Sequence, residues 1–207
     1  MDISVYEYSD AEFNHSHDYL NPALLLALGK HHKDKKVPIF DLGCGNGSTA
    51  NFLLSEGYLV SGVDPSFEGI QQAKSNFPSL DVALGHSGDN LFARFGTFDL
   101  VYSLEVVEHV FDPFEFIQDI RSILNIGGYV ILSTPFHGYF KNLLLSIFNK
   151  WDKHFTALWK GGHIKFWSPA SITQLLNESG FKVVEIRRLG RIPIIAKSMI
   201  VVAQKNQ

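Results

Sequence analysis

Apolar residues fall along this chain in two patterns. Short unbroken runs are bounded by Asp, Gly or Pro, and between them lie longer stretches where apolar residues return every three or four positions. The runs predict strands: one leading into Asp41, then 58–63, 80–84, 98–103, 129–133, 181–188 and about 198–203. The periodic stretches predict helices at 11–28, with Asn21-Pro22 as a start signal, at 48–55, through Ile70, Ala73 and Phe77, from Asp112 to about Leu124, and at 169–179. Asp112, Pro113 and Glu115 fit the N-cap, first and third positions of a capping box, and Asn125-Ile126-Gly127-Gly128 reads as the stop of that helix. Strands alternating with helices over this length mean an α/β domain, doubly wound, with a mostly parallel sheet and helices on both faces.

The sharpest local feature lies between the first strand and its helix. Asp41-Leu42-Gly43-Cys44-Gly45-Asn46-Gly47 turns an apolar run into a glycine loop, and three glycines in five positions let backbone approach a ligand closely. A dinucleotide loop would read G-x-G-x-x-G, whereas Gly43, Gly45 and Gly47 give G-x-G-x-G. Asp64 ends the next strand about twenty residues on, where a carboxylate can accept both hydroxyls of a ribose. The stretch resembles motif I of the class I S-adenosylmethionine-dependent methyltransferases. That resemblance implies a seven-stranded Rossmann-like sheet with its last strand antiparallel. It also implies a cofactor site for S-adenosyl-L-methionine at Asp41, Gly43, Cys44, Gly45, Gly47, Asp64, Pro65, Ser87, Gly88 and Leu104, with the turn 85–89 at the level of the adenine.

Composition narrows the setting. A chain of 207 residues with 45% apolar content makes one domain with a full core, 1–207, in which 1–36 reads as an N-terminal helical cover. A net charge of −3 disfavours general nucleic-acid binding. The single cysteine, Cys44, excludes an internal disulfide and a cysteine-rich zinc site, and its place in the loop suggests packing. No secretory signal is evident at the start, and the longest apolar runs fall well short of the ~18 residues a membrane span needs, so a cytoplasmic location is expected. The run His31–Lys36 reads as a solvated connector.

After the fourth strand, Glu105, Glu108 and His109 stand at i, i+3 and i+4, so a helical turn would project all three from one face. Two carboxylates and an imidazole at the carboxyl edge of the sheet suit a divalent cation, Mg²⁺ or a transition metal. The bland alternative is a solvated turn. E-x-x-E-H followed by a later histidine in Gly162-His163-Ile164-Lys165-Phe166-Trp167-Ser168-Pro169 resembles two groups, the ubiquinone-biosynthesis O-methyltransferases and the small-RNA 2′-O-methyltransferases. Carried over from the RNA group, the metal ligands are Glu105, Glu108, His109 and His163, with His109 or His163 as general base where not ligating. Residues 15–22 resemble the opening segment of the ubiquinone group, although the arginine expected after Pro22 is replaced by the apolar stretch 23–28.

Residues 136–167 form a basic and aromatic flap. They hold Trp151, Trp159 and Trp167 with Phe136, Tyr139, Phe140, Phe148, Phe155 and Phe166, and Lys141, Lys150, Lys153, Lys160 and Lys165 are opposed only by Asp152. Three roles are open: a helical pair closing the core, a lid over an aromatic or prenylated acceptor, and, through 136–160, a peripheral membrane contact. The expected activity is metal-assisted O-methylation of a small aromatic or lipid-like hydroxyl acceptor. The alternatives are 2′-O-methylation of RNA, for which more arginine would be expected, and a non-catalytic cofactor-binding domain.

Overall fold

The computed structural model describes residues 16–155, 157–159 and 161–206, so the predicted helix start at 11–15 and Lys160 of the flap lie outside the described residues. Strands β1 (Ile39–Leu42), β2 (Val60–Asp64), β3 (Asp81–Leu84), β4 (Phe98–Leu104) and β5 (Leu124–Pro135) pair in parallel. β7 (Ser198–Lys205) inserts antiparallel between β5 and β6 (Phe181–Leu189). The sheet has seven strands with the last antiparallel, as the family resemblance implies, and its order is β3-β2-β1-β4-β5-β7-β6. The chain winds one way from β1 and the other way from β4, so the carboxyl ends of β1 and β4 flank the crevice where open α/β sheets bind ligands.

Strand alternation divides the interior into two cores. Ile39, Leu100, Tyr102, Ile131, Ile200 and Val202 face α1 (His17–His31), α2 (Ser48–Ser55) and α3 (Phe67–Asn76). Phe40, Leu42, Val101, Val130, Leu132 and Val201 face α5 (Pro113–Ile123) and α8 (Pro169–Glu178). Successive side chains on a strand point to opposite faces, so strands covered on both sides must be apolar throughout. The exceptions are informative. Asp41, Asp64, Ser103, Ser133, Thr134 and Ser198 are buried polar residues, and all lie at one edge, since β7 begins where β5 ends in the pairing Pro135↔Ser198.

Several predicted boundaries move. α1 starts at His17 with Pro22 inside it rather than at its first turn. A proline there removes one helix hydrogen bond at a cost of up to ~3 kcal/mol, which burial of Leu20, Ala23, Leu24, Ala27 and Leu28 outweighs. The Asn125–Gly128 stop signal lies inside β5, because Phe98 pairs with Leu124 and draws the chain into the sheet at once. Asp112 caps α5 as expected, its Oδ1 accepting from the backbone of Phe114 (2.9 Å) and Glu115 (3.1 Å). α4 (Leu91–Phe95) and the 3₁₀ turn Pro193–Ile195 are too short to show a period. In the flap, α6 (Tyr139–Ile147) and α7 (Trp151–Phe155) contain no buried residue, which overturns the core-closing reading. Among the described residues of the flap, only its ends, Phe136 and Trp167, join the core, bridging one another. Among the described residues, no helix is long and apolar enough to cross a membrane.

Candidate active site

The glycine loop is fastened to β2. Gly43 and Cys44 donate to the Val63 carbonyl (2.8 and 3.0 Å), Gly45 donates to Asp64 Oδ2 (2.8 Å), and Ser66 donates to Asp64 Oδ1 (2.8 Å). Gly43, Gly45 and Gly47 all have positive φ. A Cβ on Gly43 would stand 2.5 Å from Val106 Cγ2, and one on Gly47 would stand 2.9 Å from Ala73 and Leu80, so the turn's own packing already requires both glycines. Asp41 and Asp64 flank the loop, nearly buried. Burial raises both carboxyls, that of Asp41 to about 8 with the charge of Asp64 adding, while its two backbone donors ease Asp64. Burial also pushes the Cys44 thiol well up, with Asp41 and Asp64 adding, which suits packing and not nucleophilic chemistry.

Pro65 follows Asp64, Leu104 ends β4, and the turn carrying Ser87 and Gly88 is drawn in by Gly85, whose N–H donates to the Asp64 carbonyl (3.1 Å). Every residue named from the sequence for the cofactor therefore lies along one sheet edge. No ion pair neutralises Asp41 or Asp64 among the described residues. Buried acceptors in need of positive charge and hydroxyl donors fit the ribose and cationic end of S-adenosylmethionine.

After β4 the chain makes a tight turn and not the helical turn expected. Glu105 sits at φ 55 in the left-handed region. Its carboxylate turns to β5 and β7, accepting from Ser133 Oγ (2.8 Å) and Ser198 Oγ (3.3 Å). Glu108, His109 and His163 do come together, one ligand atom from each lying within 4.8 Å of the others; Glu105 is not among them. His163 arrives because Ile164 and Lys165 donate to the Glu108 carbonyl (2.9 and 3.0 Å) and Trp167 Nε1 donates to the Val107 carbonyl (3.2 Å). The two imidazole rings lie 4.9 Å apart.

Burial dominates the electrostatics of this cluster. Glu108 is wholly buried and neither carboxylate oxygen has a hydrogen-bond partner; the Thr134 hydroxyl faces it closely enough to ease its charge without completing a bond. Burial, then the charge of Glu105, raises the Glu108 carboxyl well above its ordinary range. Burial raises Glu105 to about 7, against the pull of Ser133, Ser198 and Lys141. Burial lowers His163 to about 4, helped by His109 and His137, and lowers His109 against its bonds to the Gly161 and Gly162 carbonyls. Both imidazoles are thus neutral near pH 7. A carboxylate and two neutral imidazoles form a donor set that fits a divalent cation.

Beside the cluster opens a cavity of about 430 Å³, reached by Glu105 and His163 and walled by α6 and the start of β7. Sequence reasoning missed most of it. Lys141 reads from the sequence as one flap lysine among several, yet its Nζ donates to the Phe136 carbonyl (2.7 Å) and the Lys197 carbonyl (3.4 Å), and burial lowers it to about 8. His137 is nearly buried, its Nδ1 3.4 Å from Asn142 Oδ1, and burial takes it to about 4. Ser133-Thr134 did carry a signal, as hydroxyls breaking an apolar run at the strand end that also carries the buried carboxylates.

Residues 13–186 match the family model described as a methyltransferase domain. A ubiquinone biosynthesis O-methyltransferase of Burkholderia pseudomallei (strain 1710b) is 28% identical over 191 residues, covering 89% of this chain and 81% of that protein. A protein of the same name from Thiobacillus denitrificans matches at 28% over the same shares. Among solved structures, magnesium protoporphyrin IX methyltransferase from Synechocystis PCC 6803 with bound SAH superposes with a TM-score of 0.68 at 20% identity, covering 96% of this chain and 91% of that one. The [4+2]-cyclase SpnF superposes with a TM-score of 0.70 at 13% identity, over 100% and 87%. Likeness at this level concerns the fold, which hosts more than one chemistry.

Proposed function

The chain belongs to the methyltransferase-domain family, matched over residues 13–186, and on that premise we propose that it moves a methyl group from S-adenosylmethionine to a hydroxyl of a small acceptor, with a divalent cation held by Glu108, His109 and His163. The observation that carries the metal half is the Glu108 carboxylate, buried with both oxygens unpartnered and gathered with two imidazoles. A buried carboxylate without a partner costs several kcal/mol, which a bound cation offsets.

With the donor bound, Asp64 would accept from the ribose hydroxyls, and the donor's cationic end would draw Asp41, protonated in the ligand-free protein, into its ionised form. The acceptor oxygen attacks the methyl carbon, the carbon–sulfur bond breaks with its electron pair left on sulfur, and the hydroxyl proton departs to a base. Glu108, His109 and His163 would hold the divalent cation, which when bound would supply a lowered pKa for a coordinated hydroxyl and a counter-charge for the oxyanion. His163 or His109, neutral at pH 7, takes the proton where it is not ligating. The protein's remaining task is to align oxygen, carbon and sulfur. The 28% identical relatives are named for ubiquinone biosynthesis, which supports a hydroxyl acceptor. The outer side of α6, with Phe140 and Ile147 exposed and Lys150 and Lys153 close in sequence, supports a peripheral contact with an anionic membrane.

The test is transfer of labelled methyl from S-adenosylmethionine to dihydroxy aromatic acceptors, before and after chelation and with Mg²⁺ or Zn²⁺ restored. Chelation and Glu108→Gln are each expected to cost at least about 100-fold in rate while S-adenosylhomocysteine still binds. Full activity in chelator would remove the metal, and failure to bind S-adenosylhomocysteine would remove the donor.

A further inference from the structure

The cavity beside the cluster has a charge that the methyl-transfer reading does not use. Lys141, Lys150, Arg191 and Lys197 all line it, and Glu105 is the one carboxylate among the lining residues. None of those cations forms an ion pair with an acid among the described residues, and Glu105 is already engaged by Ser133 and Ser198. Lys141 and Arg191 lie close enough to repel one another. In a protein of net charge −3 this is a local concentration of positive charge, and unpaired like charges around a cavity work against folding.

From this we infer that the acceptor carries an anionic group, a carboxylate or a phosphate, which seats among Lys141, Lys150, Arg191 and Lys197 while its hydroxyl turns toward Glu105 and His163. Lys141 is held for the purpose. Two of its three donors are fixed on the Phe136 and Lys197 carbonyls, which leaves the third for a ligand. Leu144, Leu145 and Phe148 supply an apolar wall for the body of the molecule. A volume of about 430 Å³ lies within the ordinary range for small-molecule sites and is too small for a folded partner or a run of RNA. The position of the hydroxyl rests on the methyl-transfer reading; the anion does not.

The experiment is a calorimetric titration, with S-adenosylhomocysteine present, of benzoate and phenyl phosphate against their neutral counterparts benzamide and benzyl alcohol. It is run on the natural chain and on a Lys150→Ala/Arg191→Ala variant, both positions being exposed. The anions are expected to bind about tenfold or more tightly than the neutral compounds, and the variant to lose that preference. The stronger of the two anions identifies carboxylate or phosphate as the group. Equal binding of charged and neutral probes, a preference undiminished in the variant, or no anion bound up to about 10 mM would overturn the inference. S-Adenosylhomocysteine titrated alone into both proteins separates the outcomes, since its failure to bind counts against the methyltransferase reading and leaves the anion result standing.

Discussion

Asp41 is the residue at which stability and function pull apart. Its carboxyl, at 3.8 in an unconstrained chain, is raised to about 8 in the fold. The native state prefers it protonated, so its contribution is fully present below about pH 4 and is lost as the pH rises toward 8. Asp41→Asn is expected to make the ligand-free protein more stable at pH 8 by about 1–3 kcal/mol and to abolish the stabilisation that S-adenosylhomocysteine gives. Thermal unfolding at pH 6 and pH 8, with and without ligand, reads both; a variant that is less stable yet still protected by ligand would contradict the assignment. Gly43→Ala meets two obstacles, φ 93 and a Cβ 2.5 Å from Val106, and is expected to cost about 2–4 kcal/mol. Adding Val106→Ala relieves the contact but not the backbone, so denaturant midpoints should recover only in part. Asp41, Asp64 and the glycines were legible in the sequence because the loop is made by neighbours in the chain. Glu105 was named for the metal, but its engagement by Ser133 and Ser198, outside the cluster of Glu108, His109 and His163, was not legible, because strand pairing brings those serines alongside.

Among the elements, those with a full period and a buried face were readable, and those set by pairing or by length were not. α2 spans the residues that its pattern predicts, 48–55. β5 begins at Leu124, before Gly127-Gly128, because an existing strand edge outranks a local stop signal. The flap was recognised as basic and aromatic, but its freedom from the core shows only in three dimensions: Phe140 and Ile147 on α6 are 55% and 64% exposed, which no core helix would be. Phe140→Asp with Ile147→Asp should therefore leave stability within about 0.5 kcal/mol and abolish co-sedimentation with vesicles containing anionic lipid. Loss of stability would return α6 to the core, and unchanged sedimentation, or none by the natural chain, would dismiss the membrane contact.

For the whole molecule, two cores hold one sheet whose polar edge carries the candidate site. The alternation of strands and helices foretold that edge; spacing singled out Glu105, Glu108 and His109, and the resemblance added His163, while the fold gathers only Glu108, His109 and His163. Lys141 and Lys150 were visible as flap lysines, but Arg191 and Lys197 join them only because the β6–β7 connection folds against α6. The metal reading rests on Glu108, a buried carboxylate whose oxygens complete no hydrogen bond within the protein among the described residues. The direct measurement is calorimetric titration of chelator-treated protein with Mg²⁺ and with Zn²⁺, S-adenosylhomocysteine being present, for the natural chain and for Glu108→Gln. The account predicts stoichiometric binding of one of these ions to the natural chain and none to the variant; no binding to either protein, or equal binding to both, would contradict it.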